Sequence, residues 1–201
     1  MFVTDAQIQE MEAKYGHPES RHFTIPTTDR EYDRIKASQK DGRNHDFTVY
    51  IIKDDKVVVI AKHPYPPHLY RAPSGGIKPG EDFEKAVHRE VMEETGCKVR
   101  IDRFFLRTAV DFTRADGVVI KWRSFVFLAH YVSGDFDFTD HREIRSVKLA
   151  DWSEFEEFGR IMRSTDTGGL HYRAVLHEAV VEVLGDLVKN GNLGGEIGLR
   201  S

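Results

Sequence analysis

Three glutamates of one short segment have the types and spacing expected of a metal or acid–base site. Glu90, Glu93 and Glu94 stand at positions i, i+3 and i+4 of a predicted helix. At about 100° per residue, Glu90 and Glu94 fall inside the apolar arc of this helix and Glu93 lies at its edge. The arc itself is formed by Phe83, Ala86, Val87 and Val91. Grouped carboxylates in a weakly polar setting repel one another, so we expect a hard divalent cation with oxygen ligands to compensate them.

The same segment also has a simpler interpretation, a solvated acidic helix without any metal. In that case Arg89 pairs with Glu93 at i, i+4 on the surface. The loop before the helix holds Gly75, Gly76, Pro79, Gly80 and Glu81. Such a loop can turn tightly and approach a ligand, but it is equally consistent with an ordinary turn into a helix N-cap. The helical wheel favours the metal site, because a surface helix usually keeps its acids on the polar face.

The segment resembles the Nudix box, G-x(5)-E-x(7)-R-E-U-x-E-E-x-G-U, where U is a bulky aliphatic residue. Across residues 75–97 the matching residues are Gly75, Glu81, Arg89, Glu90, Val91, Glu93, Glu94 and Gly96. Cys97 departs from the last aliphatic position, and a small buried thiol should be tolerated there. The family usually has Gly or Ala at the position of Ser74, which alters the loop without touching the box carboxylates. The resemblance extends over roughly residues 46–190 and identifies the chain as a Nudix hydrolase.

This resemblance implies a role for each matching side chain. The family's metal ligands for Mg²⁺ or Mn²⁺ lie at the positions of Glu90, Glu93 and Glu94. Arg89 is expected to orient these glutamates, and Glu81 to pin the loop or join the metal shell. Water then attacks a phosphorus atom while the metal neutralises developing charge on the phosphate oxygens.

The general base and the substrate contacts lie partly outside the box. Some Nudix enzymes use a glutamate of the box as base. Glu93 is our first choice for this base, and the neighbouring Glu94 is also predicted to be catalytic. Others use a glutamate of a late loop, which Glu143 resembles; a surface acid paired with a nearby arginine is the alternative. The residues expected to contact substrate are Arg71, Tyr70, Gly75 and Gly76. For the aromatic–proline stretch that contains Tyr70, plain packing is the competing interpretation.

The remaining sequence predicts the elements that hold this segment in place. Two β-rich runs joined by Asp54 and Asp55 indicate a hairpin, and two long β-rich runs follow the box. Amphipathic patterns predict helices near both ends of the chain. The predicted strands are 47–52, 56–62, 99–112, 118–132 and 144–150, and the predicted helices are 4–15, 29–39, 82–95, 153–163 and 170–188. This order predicts an α/β fold, an α/β/α sandwich of the Nudix type with a mixed β-sheet.

The chain divides by pattern into three parts. Residues 1–45 are interpreted as an N-terminal arm, partly helical, which covers the active site or builds a homodimer. Residues 46–190 form the Nudix domain, and the Gly-rich stretch 191–201 is expected to be a flexible tail.

Composition excludes several classes of protein. A net charge of −4 gives no basic field for a nucleic-acid polymer. The single Cys97 excludes an internal disulfide and a multi-cysteine zinc site. No secretory signal pattern and no apolar run of roughly 20 residues is present, so a location in the cytoplasm without membrane contact is expected.

The functional hypothesis is metal-dependent hydrolysis of a phosphoanhydride in a nucleoside diphosphate linked to another moiety, or in a related organic pyrophosphate. The alternative is a non-catalytic Nudix-fold module that binds nucleotides or has a regulatory role. The sequence leaves open whether the substrate is ADP-ribose-like, a dinucleoside polyphosphate, a nucleotide sugar or a nucleoside triphosphate.

Overall fold

The computed structural model describes residues 3–39 and 42–190, so the predicted tail at 191–201 lies outside the described residues. The helices are α1 (Asp5–Tyr15), α2 (Asp29–Ser38), α3 (Phe83–Thr95), α4 (Glu154–Ser164) and α5 (Gly168–Lys189). The strands are β1 (Glu19–Pro26), β2 (His45–Lys53), β3 (Lys56–Lys62), β4 (Ser74–Gly75), β5 (Cys97–Thr113), β6 (Val119–Gly134) and β7 (Ile144–Ala150). None of the helices in these ranges is long and apolar enough to span a bilayer.

One mixed sheet forms the centre of the molecule. Its order is β1-β5-β6-β2-β3-β7, and β4 pairs with β2 at the side of this path. The pairs β1/β5 and β2/β6 are parallel, whereas β5/β6, β2/β3 and β3/β7 are antiparallel. The predicted mixed α/β fold is therefore confirmed.

Apolar residues cover both faces of this sheet. On one face, Phe83 and Val87 of α3 and Met11 of α1 pack with Phe47 and Phe127 of the strands. On the other face, apolar residues of α4 and α5 pack on the alternate residues of the same strands. This alternation along each strand gives the three-layered sandwich that the sequence predicted.

The β2–β3 hairpin shows how local sequence sets the strand order. Asp54 and Asp55 have φ values of 51° and 61°, the left-handed conformation that a two-residue hairpin turn requires at both central positions. Strand β3 thus turns straight back on β2 and carries its last residue, Lys62, to the edge of the box.

Strand β1 was not predicted. It lies inside the interpreted N-terminal arm and pairs in parallel with β5 from Glu19 to Pro26. Its burial pattern explains the omission, because only Ile25 of the eight residues is buried. The first part of the chain therefore adds an edge strand to the sheet.

Helix α1 is fixed to the box segment by polar contacts. The amide of Gln7 donates to the carbonyl oxygen of Glu81 at 2.9 Å, and the hydroxyl of Tyr15 donates to Glu84 at 2.7 Å. Ile8 and Met11 are buried on the same face. The N-terminal helix therefore supports the loop and the first turn of α3.

A half-buried histidine anchors α5 behind the sheet. The Nδ1 atom of His177 lies 3.0 Å from the hydroxyl of Tyr50, and its ring stacks on Phe155 at a centroid distance of 4.1 Å. Burial lowers the pKa of His177 to about 3, so the ring is neutral in the folded protein at neutral pH.

Candidate active site

Helix α3 has well-defined ends that set the direction of its acids. The side chain of Asp82 caps it by accepting the backbone N–H of Lys85 at 2.9 Å, and Gly96 ends it in the left-handed conformation at φ 69°. A side chain at position 96 would also meet the backbone of Asp137 at 2.6 Å. Because Phe83 and Val91 anchor the opposite ends of the apolar stripe, the acids on that side face the sheet and the glycine loop.

Glu94 is the most deeply placed carboxylate of the site. It is 2 % exposed and accepts the backbone N–H of Ser74 at 2.9 Å. Its other oxygen lies 3.2 Å from the Nζ atom of Lys62. Lys62 also donates to Glu143 at 2.6 Å, and this cation lowers the pKa of Glu143. Lys62 thus joins the box to the late loop that the sequence analysis singled out.

Glu90 packs directly against the glycine loop. A Cβ atom added at Gly75 would lie 2.3 Å from the Cγ atom and 2.6 Å from the Cβ atom of Glu90. The close approach buries the carboxylate, and this burial raises the pKa of Glu90 against the opposing effect of Arg89. Gly75 therefore makes room for Glu90. Gly75 was predicted to contact substrate, and the contact that the structure shows for it is this one with Glu90.

Arg89 organises the other carboxylates. Its Nε and Nη2 atoms donate to the two oxygens of Glu81 at 2.7 and 2.8 Å, and its Nη1 atom donates to Glu90 at 2.8 Å and to Glu93 at 3.1 Å. Nη2 also reaches the carbonyl oxygen of Gly76 at 3.2 Å. The bidentate contact lowers the pKa of Glu81 and raises that of Arg89. Arg89 thus contacts three of the carboxylates, and its orienting role stays a prediction.

Negative charge exceeds positive charge in this cluster. The carboxylates are Glu81, Glu90, Glu93, Glu94 and Glu143, and the cations in contact with them are Arg89 and Lys62. Their oxygen donors are those that Mg²⁺ and Mn²⁺ prefer, so the donor set fits such an ion. Within the described ranges, no three acidic, histidine or cysteine side chains are already placed to hold one ion together. The carboxylates turn instead to Arg89 and Lys62, which partly relieves their mutual repulsion.

A cavity of about 280 Å³ adjoins the cluster. Lys62, Tyr65 and Arg71 line the side towards the box, and Trp122 and Leu170 line the apolar side. Arg71, one of the predicted substrate residues, is therefore at a cleft beside the carboxylates.

Tyr70, in contrast, does not line this cavity. Its hydroxyl lies 3.2 Å from that of Ser146, and its ring packs against Phe158. The neighbours Tyr70 and Arg71 point to opposite sides of an extended segment, and packing is the role that the structure shows for Tyr70.

Sequence analysis missed Lys62, Arg173 and the linking function of Ser74. The guanidinium of Arg173 donates to Asp46 at 2.5 Å, to Thr48 at 2.7 Å and to the hydroxyl of Ser74 at 3.2 Å. These contacts join residues far apart in the chain, and no local pattern marks them. The departure from the family pattern at Ser74 was the one available signal.

Several known proteins are similar to this chain in sequence or in fold. The sequence model of the NUDIX domain family matches residues 42–174. The NAD-capped RNA hydrolase NudC of Mannheimia succiniciproducens is 35 % identical over 100 residues, which are 48 % of this chain and 34 % of that protein; the chain thus spans about a third of that relative. The RNA pyrophosphohydrolase of Sphingopyxis alaskensis is 27 % identical over 149 residues, covering 68 % of this chain and 88 % of that one. A solved structure of a UDP-X diphosphatase is similar in fold, with a TM-score of 0.50, 18 % identity, and coverage of 81 % and 73 % of the two chains.

Proposed function

The chain belongs to the Nudix hydrolase family, and on that basis we propose that it hydrolyses a phosphoanhydride bond with the help of a divalent cation. The substrate is a nucleoside diphosphate linked to another moiety, or a related organic pyrophosphate. The observation that carries this proposal is the excess of carboxylates around Glu90, Glu93 and Glu94, next to a cavity that exposes cationic side chains.

The ligands proposed for the cation are Glu90, Glu93 and Glu94, with Glu81 close to them through Arg89. When bound, Mg²⁺ or Mn²⁺ would neutralise charge on the phosphate oxygens and lower the pKa of the attacking water. Arg89 holds Glu81, Glu90 and Glu93 at one end of the cluster, and Lys62 holds Glu94 and Glu143 at the other. These two cations keep the carboxylates gathered, and Lys62 also lines the cavity.

We place the general base at Glu93. Its side chain is 43 % exposed and, within the described part of the chain, accepts a single hydrogen bond, from Arg89, so water can reach it. Lys62 lowers the pKa of Glu143, which makes this carboxylate a weaker base. The oxygen of the attacking water forms a bond to one phosphorus, and its proton passes to the carboxylate. The bond from that phosphorus to the bridging oxygen breaks, which releases two phosphorylated products.

The comparisons support the reaction more than the substrate. The relatives are named as an NAD-capped RNA hydrolase and an RNA pyrophosphohydrolase, and both names describe hydrolysis. For this chain we propose a small nucleotide-type substrate, because the cavity beside the carboxylates holds only about 280 Å³. The cytoplasmic location and the homodimer remain predictions from the sequence.

A substrate panel with and without Mg²⁺ or Mn²⁺ tests the proposal. The panel contains ADP-ribose, NAD, a dinucleoside polyphosphate, a UDP-sugar and nucleoside triphosphates, and products are identified by chromatography. Glu94→Gln should lower kcat by at least about 100-fold. Glu84→Gln is the matched control, because Glu84 lies on the same helix but contacts Lys14 and Tyr15 of α1.

Two results would count against the proposal. Equal turnover in Glu94→Gln and wild type would remove the role of the carboxylates. Thermal stabilisation by a nucleotide without any product across the panel would instead favour the non-catalytic binding module.

A further inference from the structure

We propose that Lys62 competes with the divalent cation for the carboxylates of Glu94 and Glu143, and that this residue thereby sets how tightly the cation binds. This inference rests on the proposed function, because it concerns the cation of that same site. Its test, however, measures the binding of Mn²⁺ without substrate or turnover.

The backbone places Lys62 beside these acids. The pairing of β3 with β7 shifts in register between Ala61 and Lys62, and a bulge of this kind redirects the side chains next to it. The following backbone N–H, that of His63, donates to the carbonyl oxygen of Glu143 at 3.1 Å. Strand β3 and the late loop are therefore joined by the backbone itself, whatever the charges of their side chains.

The ammonium of Lys62 bridges the two carboxylates. Within the described part of the chain its polar contacts are to Glu143, at 2.6 Å, and to Glu94, at 3.2 Å. The Lys62 side chain is only 18 % exposed, so water screens these contacts less than it screens an ion pair on the surface. Lys62 thus supplies positive charge at the position where the proposed function requires a cation.

Glu94 can be approached from few directions. Its side chain is 3 % exposed, and its Oε2 atom already accepts the backbone N–H of Ser74 at 2.9 Å. The remaining oxygen, Oε1, is the one that contacts Lys62. A divalent ion bound to this oxygen would lie close to the ammonium, where like charges repel strongly. The ammonium must therefore move away before Glu94 can bind the ion fully.

Arg89, the other cation of the cluster, is held much more firmly. Its guanidinium donates to both oxygens of Glu81 and also to the carbonyl oxygen of Gly76. Lys62 has a flexible four-carbon chain that ends in a single ammonium, and it lines the cavity. It can therefore turn towards that cavity while Arg89 keeps its position.

Arg71 also acts on Glu94 through its charge, but it cannot leave in the same way. Its guanidinium donates to the hydroxyl groups of Tyr65 and Ser74 and to a backbone carbonyl oxygen. These neutral partners fix the group. We therefore assign the competition to Lys62, whose contacts are to the carboxylates themselves.

The sign of the effect distinguishes competition from support. If Lys62 only held the two acids in place, its removal would loosen them and weaken the binding of a cation. If Lys62 competes, replacing it by a neutral side chain of similar length must tighten that binding. Methionine has nearly this length and carries no charge.

The test is a titration with Mn²⁺ alone. Free Mn²⁺ is measured by electron paramagnetic resonance, and the proton relaxation of water provides a second readout. The Kd of Lys62→Met should be at least about tenfold lower than that of wild type, whereas Lys62→Arg, which keeps the charge, should stay within about threefold. Lys56→Met is the matched control, because Lys56 lies on the same strand but pairs with Asp151 at its other end, and its Kd should not change.

Two further variants locate the effect and protect the test against misfolding. In a Glu94→Gln background, Lys62→Met should gain at least about threefold less affinity than in wild type, because one of the shared carboxylates is gone. Lys62→Gln, neutral but shorter, should also bind Mn²⁺ more tightly than wild type. Melting temperatures establish that each variant is folded.

The outcomes separate this inference from the proposed function. Equal or weaker Mn²⁺ binding by folded Lys62→Met and Lys62→Gln would overturn the inference and leave the proposed hydrolysis in place. An equal gain in Lys56→Met would also overturn it, because the effect would then come from net charge alone. Absence of Mn²⁺ binding by wild type and every variant would overturn both this inference and the cation of the proposed function.

Discussion

Replacing Gly75 by alanine should damage catalysis much more than folding. The new Cβ atom would lie 2.3 Å from Cγ of Glu90, whereas carbon atoms in good contact are about 3.5–4.0 Å apart. It would also lie 2.6 Å from Cβ of Glu90, which is fixed to the backbone of α3, so a change of side-chain rotamer cannot relieve the clash. The loop and the helix must therefore separate by about 1 Å.

A displacement of this size is enough to lower the rate strongly. A misplacement of about 1 Å can cost about 100-fold in rate, so kcat for Gly75→Ala should fall by about that factor with the best substrate of the panel. Overpacking should lower the free energy of unfolding by about 1–3 kcal/mol, measured by urea denaturation. Steady-state kinetics at saturating Mg²⁺ or Mn²⁺ separates the loss of kcat from weaker binding of the cation.

Gly76→Ala is the matched control. Its added Cβ meets the flexible end of Arg43 at 2.4 Å, which can move away, and neither glycine has a positive φ. At saturating substrate we expect a kcat within a factor of about three of wild type for this variant, and an effect on the predicted substrate contact of Gly76 would appear in KM instead. If Gly75→Ala behaved like Gly76→Ala, the packing of Glu90 against the loop would not be needed for catalysis.

Three more predictions concern stability. Burial raises the pKa of Glu90, so its charged form is disfavoured in the folded state. Glu90→Gln should therefore raise Tm without metal by about 2 °C and reduce the Tm increase caused by Mn²⁺. A Tm below that of wild type without metal would contradict this. Glu81→Gln weakens the two-bond contact with Arg89 and should reduce the free energy of unfolding by about 1–2 kcal/mol, whereas an unchanged urea midpoint would refute it. The pKa of His177 is lowered to about 3 in the folded protein, so below about pH 6.5 this histidine binds a proton in the unfolded chain but not in the folded one. The free energy of unfolding should therefore fall on acidification by up to about 1.4 kcal/mol per pH unit. His177→Gln should reduce that slope, and the exposed His141→Gln should not.

The box could be predicted residue by residue because its signals are local. The glycine loop, the capping Asp82, the apolar stripe and Gly96 all lie within one segment, and the wheel placed Glu94 on the buried side, as the structure confirms. The hairpin turn at Asp54 and Asp55 was likewise visible in the sequence. In these regions local preference and the final fold agree.

The remaining features depend on contacts between distant parts of the chain. Strand β1 buries only Ile25, so it lacks the apolar alternation by which a strand is recognised, and its pairing with β5 decides its conformation. The positions of Lys62 and Arg173 depend on how β3 and α5 pack against the sheet, and both residues look like ordinary surface charges in the sequence. Substrate specificity therefore could not be predicted from the box, because it depends on residues outside this segment.

Hydrolysis in ¹⁸O-labelled water tests the central claim most directly. The protein is incubated with its best substrate of the panel in labelled water, with and without Mg²⁺ or Mn²⁺, and the products are analysed by mass spectrometry. We predict that products appear only with the cation and that one phosphate of one product carries a single ¹⁸O atom. Unlabelled products, equal release without the cation, or no product from any compound of the panel would contradict the account.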